Sequence, residues 1–286
     1  MQKYRLIAEA LVSTGIIKKS WIREPKAAHD KDILLCHTKE WFDKIKNNTL
    51  EIEDELRLEL KMSPEFAMAC ILCCGATTQA CQQALENSVG IHIGGGFHHA
   101  FPDHGEGFCA LNDMAIAIMA MQKKGGIKKA AVIDLDLHQG NGTAYIFRND
   151  PDVFTFSMHQ QNNYPAIKPR SDLDIGLEDG TEDEQYLEIL EKALKQVLNK
   201  HKPQMIVYQA GSDPYKEDVL GGLNLSMEGL KKRDEIVFFE AQKRHIPCAV
   251  TLGGGYSKNL ADGIKIHINT ISAALKSANQ QTSSRK

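Results

Sequence analysis

Two aspartates and a histidine alternate with leucines at the end of an apolar run, in the sequence AAVIDLDLH over residues 130–138. Residues two apart on a β-strand face the same side, so Asp134, Asp136 and His138 are predicted to share one side of an otherwise buried strand. Buried carboxylates without a partner cost several kcal/mol each or take up protons. A bound divalent cation removes that cost, so the sequence predicts a metal site here.

Composition limits the remaining possibilities. The chain has 286 residues, 42% hydrophobic and 25% charged, which is typical of a globular domain with a sizeable core. The net charge of −3 argues against direct nucleic-acid binding. Seven cysteines and the lack of an apolar signal segment predict reduced thiols and a cytoplasmic location. The most lipophilic stretch, residues 67–76, is shorter than the roughly 20 residues of a membrane span.

Strand-like and helix-like segments alternate along the chain, which favours a parallel sheet. The predicted strands are residues 33–37, 89–94, 130–135, 153–158, 205–210 and 248–252. The predicted helices are residues 4–14, 64–86, 111–123, 182–200, 226–244 and 258–276. We therefore expect one α/β domain over residues 1–276, a single parallel sheet with helices on both faces, and a frayed polar tail over residues 277–286.

Polar side chains follow five of these strands at the point where each strand ends. They are His98 and His99, Asp136 and His138, His159, Asp213, and Tyr256. Ligands of open parallel sheets bind at the carboxyl ends of the strands. The sequence therefore predicts one functional site at this edge.

Within this set, Asp136, His138 and Asp213 are candidate metal ligands. Two carboxylates and one imidazole with an open position suit a catalytic zinc ion. Mixed oxygen and nitrogen ligation also accepts Fe(II), Mn(II) or Co(II). Asp134 is a candidate hydrogen-bond acceptor behind these ligands, or a ligand of a second cation.

Two glycine-rich segments precede the other candidates. His98 and His99 follow three glycines, and adjacent imidazoles near a metal site can act as general base and acid. Tyr256 follows three further glycines, and its phenol can donate a hydrogen bond to a developing oxyanion. The alternatives are a surface loop with two histidines and a tyrosine that caps a strand end.

The cysteines at positions 70, 73, 74 and 81 allow two interpretations. Their spacing puts them on one face of the helix predicted over residues 64–86, among alanine, methionine and leucine. We expect core packing there rather than a zinc knuckle. The acidic run over residues 51–59 is interpreted as a solvated face.

Several motifs, taken in order, resemble the zinc-dependent histone deacetylase family over nearly the whole chain. They are GGGFHH at 94–99, GFC at 107–109 followed by Asn112 and Asp113, DLDLH at 134–138, and LGGGY at 252–256. Further details resemble the class IV branch: HQGNG at 138–142, NYP at 163–165, GTED at 180–183, GSD at 211–213 and LGGL at 220–223.

The resemblance implies an arginase/deacetylase-type α/β fold and a role for each candidate residue. Asp136, His138 and Asp213 match the zinc ligands, His98 and His99 the catalytic pair, Tyr256 the carbonyl-polarising phenol, and Asp134 the residue that orients His98. Asn141 stands where some family members carry an aspartate facing His99. Because an amide stabilises an imidazolium less than a carboxylate does, His99 is expected to be neutral more readily.

The resemblance also implies substrate and cation sites. Gly107 and Phe108 match one wall of an acyl-lysine tunnel, and Tyr164 is expected on the opposite wall. A structural K⁺ or Na⁺ site is implied by a set made up of Asp134, Asp136, His138, Ser157 and the backbone carbonyl of Met158. The family's N-terminal strand, which precedes Lys3, has no counterpart in the sequence, and no residue matches the family's rim aspartate.

The function implied is hydrolysis of an acyl group, acetyl or long-chain fatty acyl, from the ε-amine of lysine in proteins, with metal-activated water. The resemblance fixes neither the acyl chain nor the number of subunits. One alternative is deacetylation of small amines such as acetylpolyamines. A ureohydrolase shares the fold but needs a two-metal ligand set, and an inactive binding module would usually have lost a ligand or Tyr256.

Overall fold

The sheet has six strands, all parallel, in the order β1-β6-β5-β2-β3-β4. The computed structural model describes residues 2–284, and the side chains of residues 2–279. The strands are β1 (Val89–His92), β2 (Ala130–Asp134), β3 (Val153–Gln160), β4 (Leu173–Leu177), β5 (Met205–Gln209) and β6 (Cys248–Thr251). The predicted α/β architecture with a parallel sheet is therefore confirmed.

Helices cover both faces of this sheet. They are α1 (Gln2–Ser13), α2 (Asp30–Ile33), α3 (Lys39–Lys46), α4 (Ile52–Leu58), α5 (Pro64–Asn87), α6 (Asp113–Lys123), α7 (Asn141–Phe147), α8 (Asp183–His201), α9 (Met227–Lys243) and α10 (Leu260–Ser284), with a 3₁₀ turn at Lys19–Trp21. Helices α1, α8, α9 and α10 pack on one face, and α3, α5 and α6 on the other. No helix in the described part of the chain has the length and apolar character of a membrane span.

The two faces follow from alternation along the central strands. In β2, Ala131 and Ile133 pack into the first core, whereas Ala130 and Val132 pack into the second. The sequence of a strand buried on both faces is a continuous apolar run, because the side chains on each face pack against helices. The aspartates that follow β2 therefore emerge from the most enclosed part of the molecule.

Some predicted elements differ from the structure. Residues 33–37, predicted as a strand, form the end of α2 and a turn, which is a correction: a short apolar run does not distinguish a strand from a buried helical turn. Helices α2, α3, α4 and α7, the 3₁₀ turn and the edge strand β4 were not predicted. Helix α10 continues to Ser284, past the predicted start of the tail, and residues 285 and 286 lie outside the described residues.

The strand order places the functional edge. Strands β2 and β5 are neighbours, yet the chain leaves β2 towards β3 on one side and leaves β5 towards β6 on the other. Such a reversal opens a crevice above the carboxyl ends of the two strands. The loops after β2 and β5, flanked by those after β6 and β1, therefore face one another.

The central strand offers a test of this packing. Replacing fully buried Ile133 with alanine should lower the free energy of unfolding by about 2–5 kcal/mol, because it leaves a cavity beneath the site. The same change at Ile167, which is 83% exposed, should alter it by less than about 0.5 kcal/mol. Urea denaturation of both variants measures the difference, and equal stabilities would contradict the assigned core.

Candidate active site

Three predicted metal ligands meet above β2 and β5. One potential ligand atom from each of Asp136, His138 and Asp213 lies within 4.8 Å of the others. His138 Nδ1 is 3.2 Å from Asp136 Oδ1 and 3.5 Å from Asp213 Oδ2. Ligand atoms bound to a tetrahedral zinc ion at about 2.0–2.2 Å would be roughly 3.3–3.6 Å apart. The three side chains therefore fit a zinc ion.

The electrostatics of this cluster also favour a cation. Asp136 and Asp213 are both buried, and burial together with the charge of Asp136 raises the pKa of Asp213. Two adjacent buried carboxylates resist simultaneous ionisation, so a bound dication is the partner that lets both stay charged.

Glycine is required where backbone passes closest to these carboxylates. Gly254 has a φ of +64°, and a Cβ atom there would lie 2.5 Å from both Asp136 Oδ2 and Asp213 Oδ2. A Cβ at Gly211 would lie 2.6 Å from Asp136 Oδ2. The glycines thus leave a cradle that any larger residue would fill.

Arg233, on α9, ties the two ligand-bearing loops together from behind. Its Nη1 donates to the carbonyl oxygens of Leu135 (3.2 Å) and Gly211 (2.6 Å), which precede Asp136 and Asp213 in the loops after β2 and β5. The guanidinium is fully buried and paired with Asp234 at 2.8 Å. This ion pair gives the loops a common anchor.

His98 lies beside the metal-ligand cluster and is paired with a carboxylate. Its Nδ1 is 2.7 Å from Asp134 Oδ2, and its Nε2 is 3.7 Å from Asp136 Oδ1. Burial alone lowers the pKa of His98, but Asp134 and Asp136 outweigh it and raise the pKa to about 9. Asp134 is therefore in contact with His98 at the ring nitrogen opposite the metal-ligand cluster.

His99 has a different partner. Its Nδ1 is 2.7 Å from Asn141 Oδ1, and Asn141 Nδ2 donates to Glu106 Oε2 at 2.8 Å. Burial and the nearby imidazoles of His98 and His138 hold the pKa of His99 well below its usual value. The two adjacent histidines therefore lie in different electrostatic surroundings, and His99 is the one whose neutral form is favoured.

The loop that carries both histidines is fixed by Asp113 at the start of α6. Its carboxylate accepts hydrogen bonds from the backbone N–H groups of Gly96 and Phe97 at 3.0 and 2.8 Å. Thr77 on α5 donates to the same carboxylate. A buried carboxylate with three donors is well satisfied, so the loop is held rigidly.

Tyr256 stands at the mouth of the site, 48% exposed. Its backbone N–H donates to Asp218 Oδ2 at 2.6 Å, which fixes the end of the glycine-rich loop. Burial of the phenol and the negative charges around it, including Asp213, raise the pKa of Tyr256 to about 12. The hydroxyl is therefore protonated at neutral pH and can donate a hydrogen bond.

The predicted tunnel residues lie around the same mouth. Gly107 (φ +49°) and Phe108 (φ +66°) occupy the centre of a tight turn closed by Glu106 and Cys109. A Cβ at Gly107 would lie 3.0 Å from a ring carbon of Tyr164. Phe108 instead faces Tyr256, with ring centroids 6.0 Å apart. A left-handed phenylalanine is strained, so the turn stores strain to place this ring.

Other candidates lie where their strands put them. Ser157 on β3 pairs in register with Asp134 on β2, and Met158 follows it. Ser157 Oγ is 2.9 Å from His159 Nδ1, and burial lowers the pKa of His159 to about 4. Three of the four α5 cysteines are buried and Cys73 is half-buried. Among the described residues, Asp136, His138 and Asp213 are the only group of three or more His, Cys, Asp or Glu side chains close enough together to hold a metal ion.

Comparison with known proteins identifies the family of this chain. Residues 1–271 match the model of the histone deacetylase domain. An uncharacterized protein of Picosynechococcus sp. is 38% identical over 267 residues, covering 93% of this chain and 89% of that protein. Histone deacetylase 2 of Arabidopsis thaliana is 31% identical over 279 residues, covering 94% of this chain and 72% of its own length.

A solved structure shows the same fold. The crystal structure of the HDA15 HD domain superposes with a TM-score of 0.81 at 22% identity, covering 98% of this chain and 86% of that one. This likeness extends to the parallel sheet and the helices on both of its faces, and at this identity it shows the fold alone. The chain belongs to the histone deacetylase domain family.

The structure adds residues that sequence reasoning missed as functional. They are Glu106, Asp113, Asp218 and Arg233. Asp113 was noted only as part of a motif, and Glu106 lies inside the gap between two motifs. For Glu106, which lies between Gly105 and Gly107, the available signal was a charged residue next to glycines, which marks a turn but does not reveal its long-range partner. The other three residues have no neighbouring glycine.

The ligand set predicts a clear effect of Asp213→Asn. The amide replaces a charged ligand atom with a neutral one, so zinc affinity should fall by more than about 100-fold, beyond what outer-shell changes cost. Because it also removes repulsion with Asp136, the metal-free variant should melt at or above the wild-type temperature.

The control is Asp30→Asn, an exposed aspartate paired with Lys46. It should keep zinc at one per chain. Competition with a chelator, read by elemental analysis, measures the affinities, and full zinc retention by Asp213→Asn would contradict its assignment as a ligand.

Proposed function

We propose that this protein is a zinc-dependent hydrolase that removes an acyl group from the ε-amine of lysine in proteins. The observation that supports it most is the pairing of His98 with a carboxylate and of His99 with an amide, beside a three-ligand acidic cluster. That arrangement supplies one neutral imidazole and one readily protonated imidazole at a single site.

The residues of the chain divide the proton transfers between them. Asp136, His138 and Asp213 would hold the zinc ion, which would supply Lewis acidity towards water and the acyl carbonyl. His99 keeps a neutral ring nitrogen, Nε2, that accepts the proton of the attacking water. A protonated histidine of the pair then donates to the leaving lysine nitrogen.

Tyr256 stabilises the charge that develops in this reaction. Its protonated hydroxyl donates to the acyl oxygen as that oxygen becomes negative. Asp218 holds the Tyr256 backbone in place, so the donor is already oriented. Gly107, Phe108 and Tyr164 line the route by which an acylated lysine side chain reaches the site.

The finer assignments rest on the motifs. Likeness to the class IV branch favours long fatty-acyl groups as well as acetyl. Zinc is the preferred metal and Fe²⁺ the alternative. A structural K⁺ or Na⁺ ion would use the predicted set around Asp134, whose register with Ser157 supports it. All seven cysteines are free thiols, which supports a cytoplasmic location.

The substrate class can be tested directly. Zinc-loaded protein is incubated with one lysine peptide carrying acetyl, octanoyl or myristoyl, with and without a hydroxamate chelator. We expect chelator-sensitive release, and the preferred chain length separates a deacetylase from a fatty deacylase. Acetylpolyamines are tested in parallel. Release of acetate from these compounds but from none of the peptides would show that the substrates are small amines rather than protein lysine.

The role of Tyr256 predicts a selective defect. Tyr256→Phe removes only the hydroxyl, so kcat should fall by about 100-fold or more while zinc binding is retained. Tyr145→Phe, at an exposed tyrosine stacked against Arg148, is the matched control and should keep wild-type kcat. An unchanged kcat in Tyr256→Phe would remove this residue from the mechanism.

A further inference from the structure

Glu106 reaches the catalytic histidines through another side chain. Its Oε2 accepts from Asn141 Nδ2 at 2.8 Å, and Asn141 Oδ1 lies 2.7 Å from His99 Nδ1. His98, by contrast, contacts the Asp134 carboxylate directly. Each histidine is therefore linked to a carboxylate. His98 contacts Asp134 directly, whereas His99 is linked to Glu106 through the amide of Asn141.

The chemistry of these groups permits only one orientation of the chain of hydrogen bonds. An ionised carboxylate is acceptor-only, so Glu106 must face the amide N–H₂ of Asn141 rather than its oxygen. The oxygen of Asn141 then faces His99, whose Nδ1 must carry the hydrogen. Nε2 of a neutral His99 is left with its lone pair, which is the form a general base needs.

The local fold delivers Glu106 to this position. The turn that places Phe108 at the mouth has Glu106 at its first corner, and the backbone groups of Glu106 and Cys109 bond to each other at 2.8 and 3.2 Å. The Glu106 side chain is 24% exposed. Tyr164 Oη donates to Glu106 Oε2 at 3.3 Å, and His104 Nε2 is 3.4 Å from Oε1. Glu106 is therefore held from three sides.

We propose that Glu106 is a positioning residue that fixes the amide of Asn141 and thereby the tautomer of His99. This inference rests on the proposed function, in which His99 is the base. The proposal explains why an amide lies next to this imidazole. The N–H₂ group of Asn141 donates to Glu106, and its oxygen is thereby turned towards His99. No covalent or proton-transfer step is assigned to Glu106 itself.

A pair of substitutions tests the proposal by their interaction. Glu106→Gln keeps the shape but can both donate and accept, so kcat should fall about tenfold with KM and zinc content unchanged. Asn141→Asp alone sets two carboxylates face to face at 2.8 Å and should lower kcat further. In the Glu106→Gln background the same Asn141→Asp change should restore kcat, because the glutamine amide now donates to the new carboxylate.

Two controls separate this role from general charge loss. Glu59→Gln removes a carboxylate whose charge, like that of Glu106, raises the pKa of Tyr164 but which makes no hydrogen bond to Asn141. This variant should keep kcat within twofold. Tyr164→Phe removes the hydroxyl bond to Glu106 and leaves the link to Asn141 intact, so the tautomer of His99 should not change. Equal effects of Asn141→Asp in both backgrounds would overturn the proposal.

A spectroscopic measurement keeps this test independent of activity. In ¹⁵N-histidine spectra of the zinc-loaded protein, with the His99 signals assigned by their loss in His99→Gln, His99 should show a protonated Nδ1 and an unprotonated Nε2. Glu106→Gln should give a mixture of tautomers. The same mixture in a protein that cleaves no acyl-lysine would refute the proposed function and keep this inference, whereas an unchanged tautomer would overturn the inference alone.

Discussion

The burial of like charges at one edge of the sheet is the constraint on which the rest of the structure depends. Asp136 and Asp213 lie in the loops after the two central strands, β2 and β5, and both are almost completely buried. Such a pair is tolerable only with a cation in front and fixed dipoles behind. Arg233 supplies part of that support, because its bonds to two backbone carbonyls hold the ligand-bearing loops at one spacing.

The same constraint explains the glycine-rich loops. Backbone must pass within contact distance of the carboxylates, and a Cβ at Gly254 would collide with both. Glycine-rich loops have few side chains that pack against the core, so hydrogen bonds from their backbone to carboxylates fix them instead. Asp113 accepts from the loop before His98, and Asp218 accepts from the loop that ends at Tyr256. The motif glycines and these carboxylates are two halves of one arrangement.

Sequence reasoning succeeded where the information was local. The alternation around Asp136 and His138 encodes both a strand and the side chains at its end, and the fold class follows from repeating this unit. It failed where a residue acts across the chain. Arg233 bonds to carbonyl oxygens 98 and 22 residues away, and nothing in its own neighbourhood indicates them. The strand predicted over residues 33–37 was wrong for the opposite reason, since its four apolar residues fit a buried turn as well as a strand.

Asn141 shows how an apparent departure from a pattern can be completed elsewhere. Taken alone, an amide beside His99 indicates a weaker partner than a carboxylate, and it accounts for a histidine that is neutral more readily. A carboxylate is present behind this amide, because Asn141 donates a hydrogen bond to Glu106. Glu106 thereby orients the imidazole of His99 through Asn141, without a full negative charge in contact with the ring. His98 keeps a direct carboxylate and a raised pKa. Because His98 contacts a carboxylate directly and His99 contacts one only through an amide, the two adjacent imidazoles differ in how readily they take up a proton. A base and an acid at the same site require such a difference.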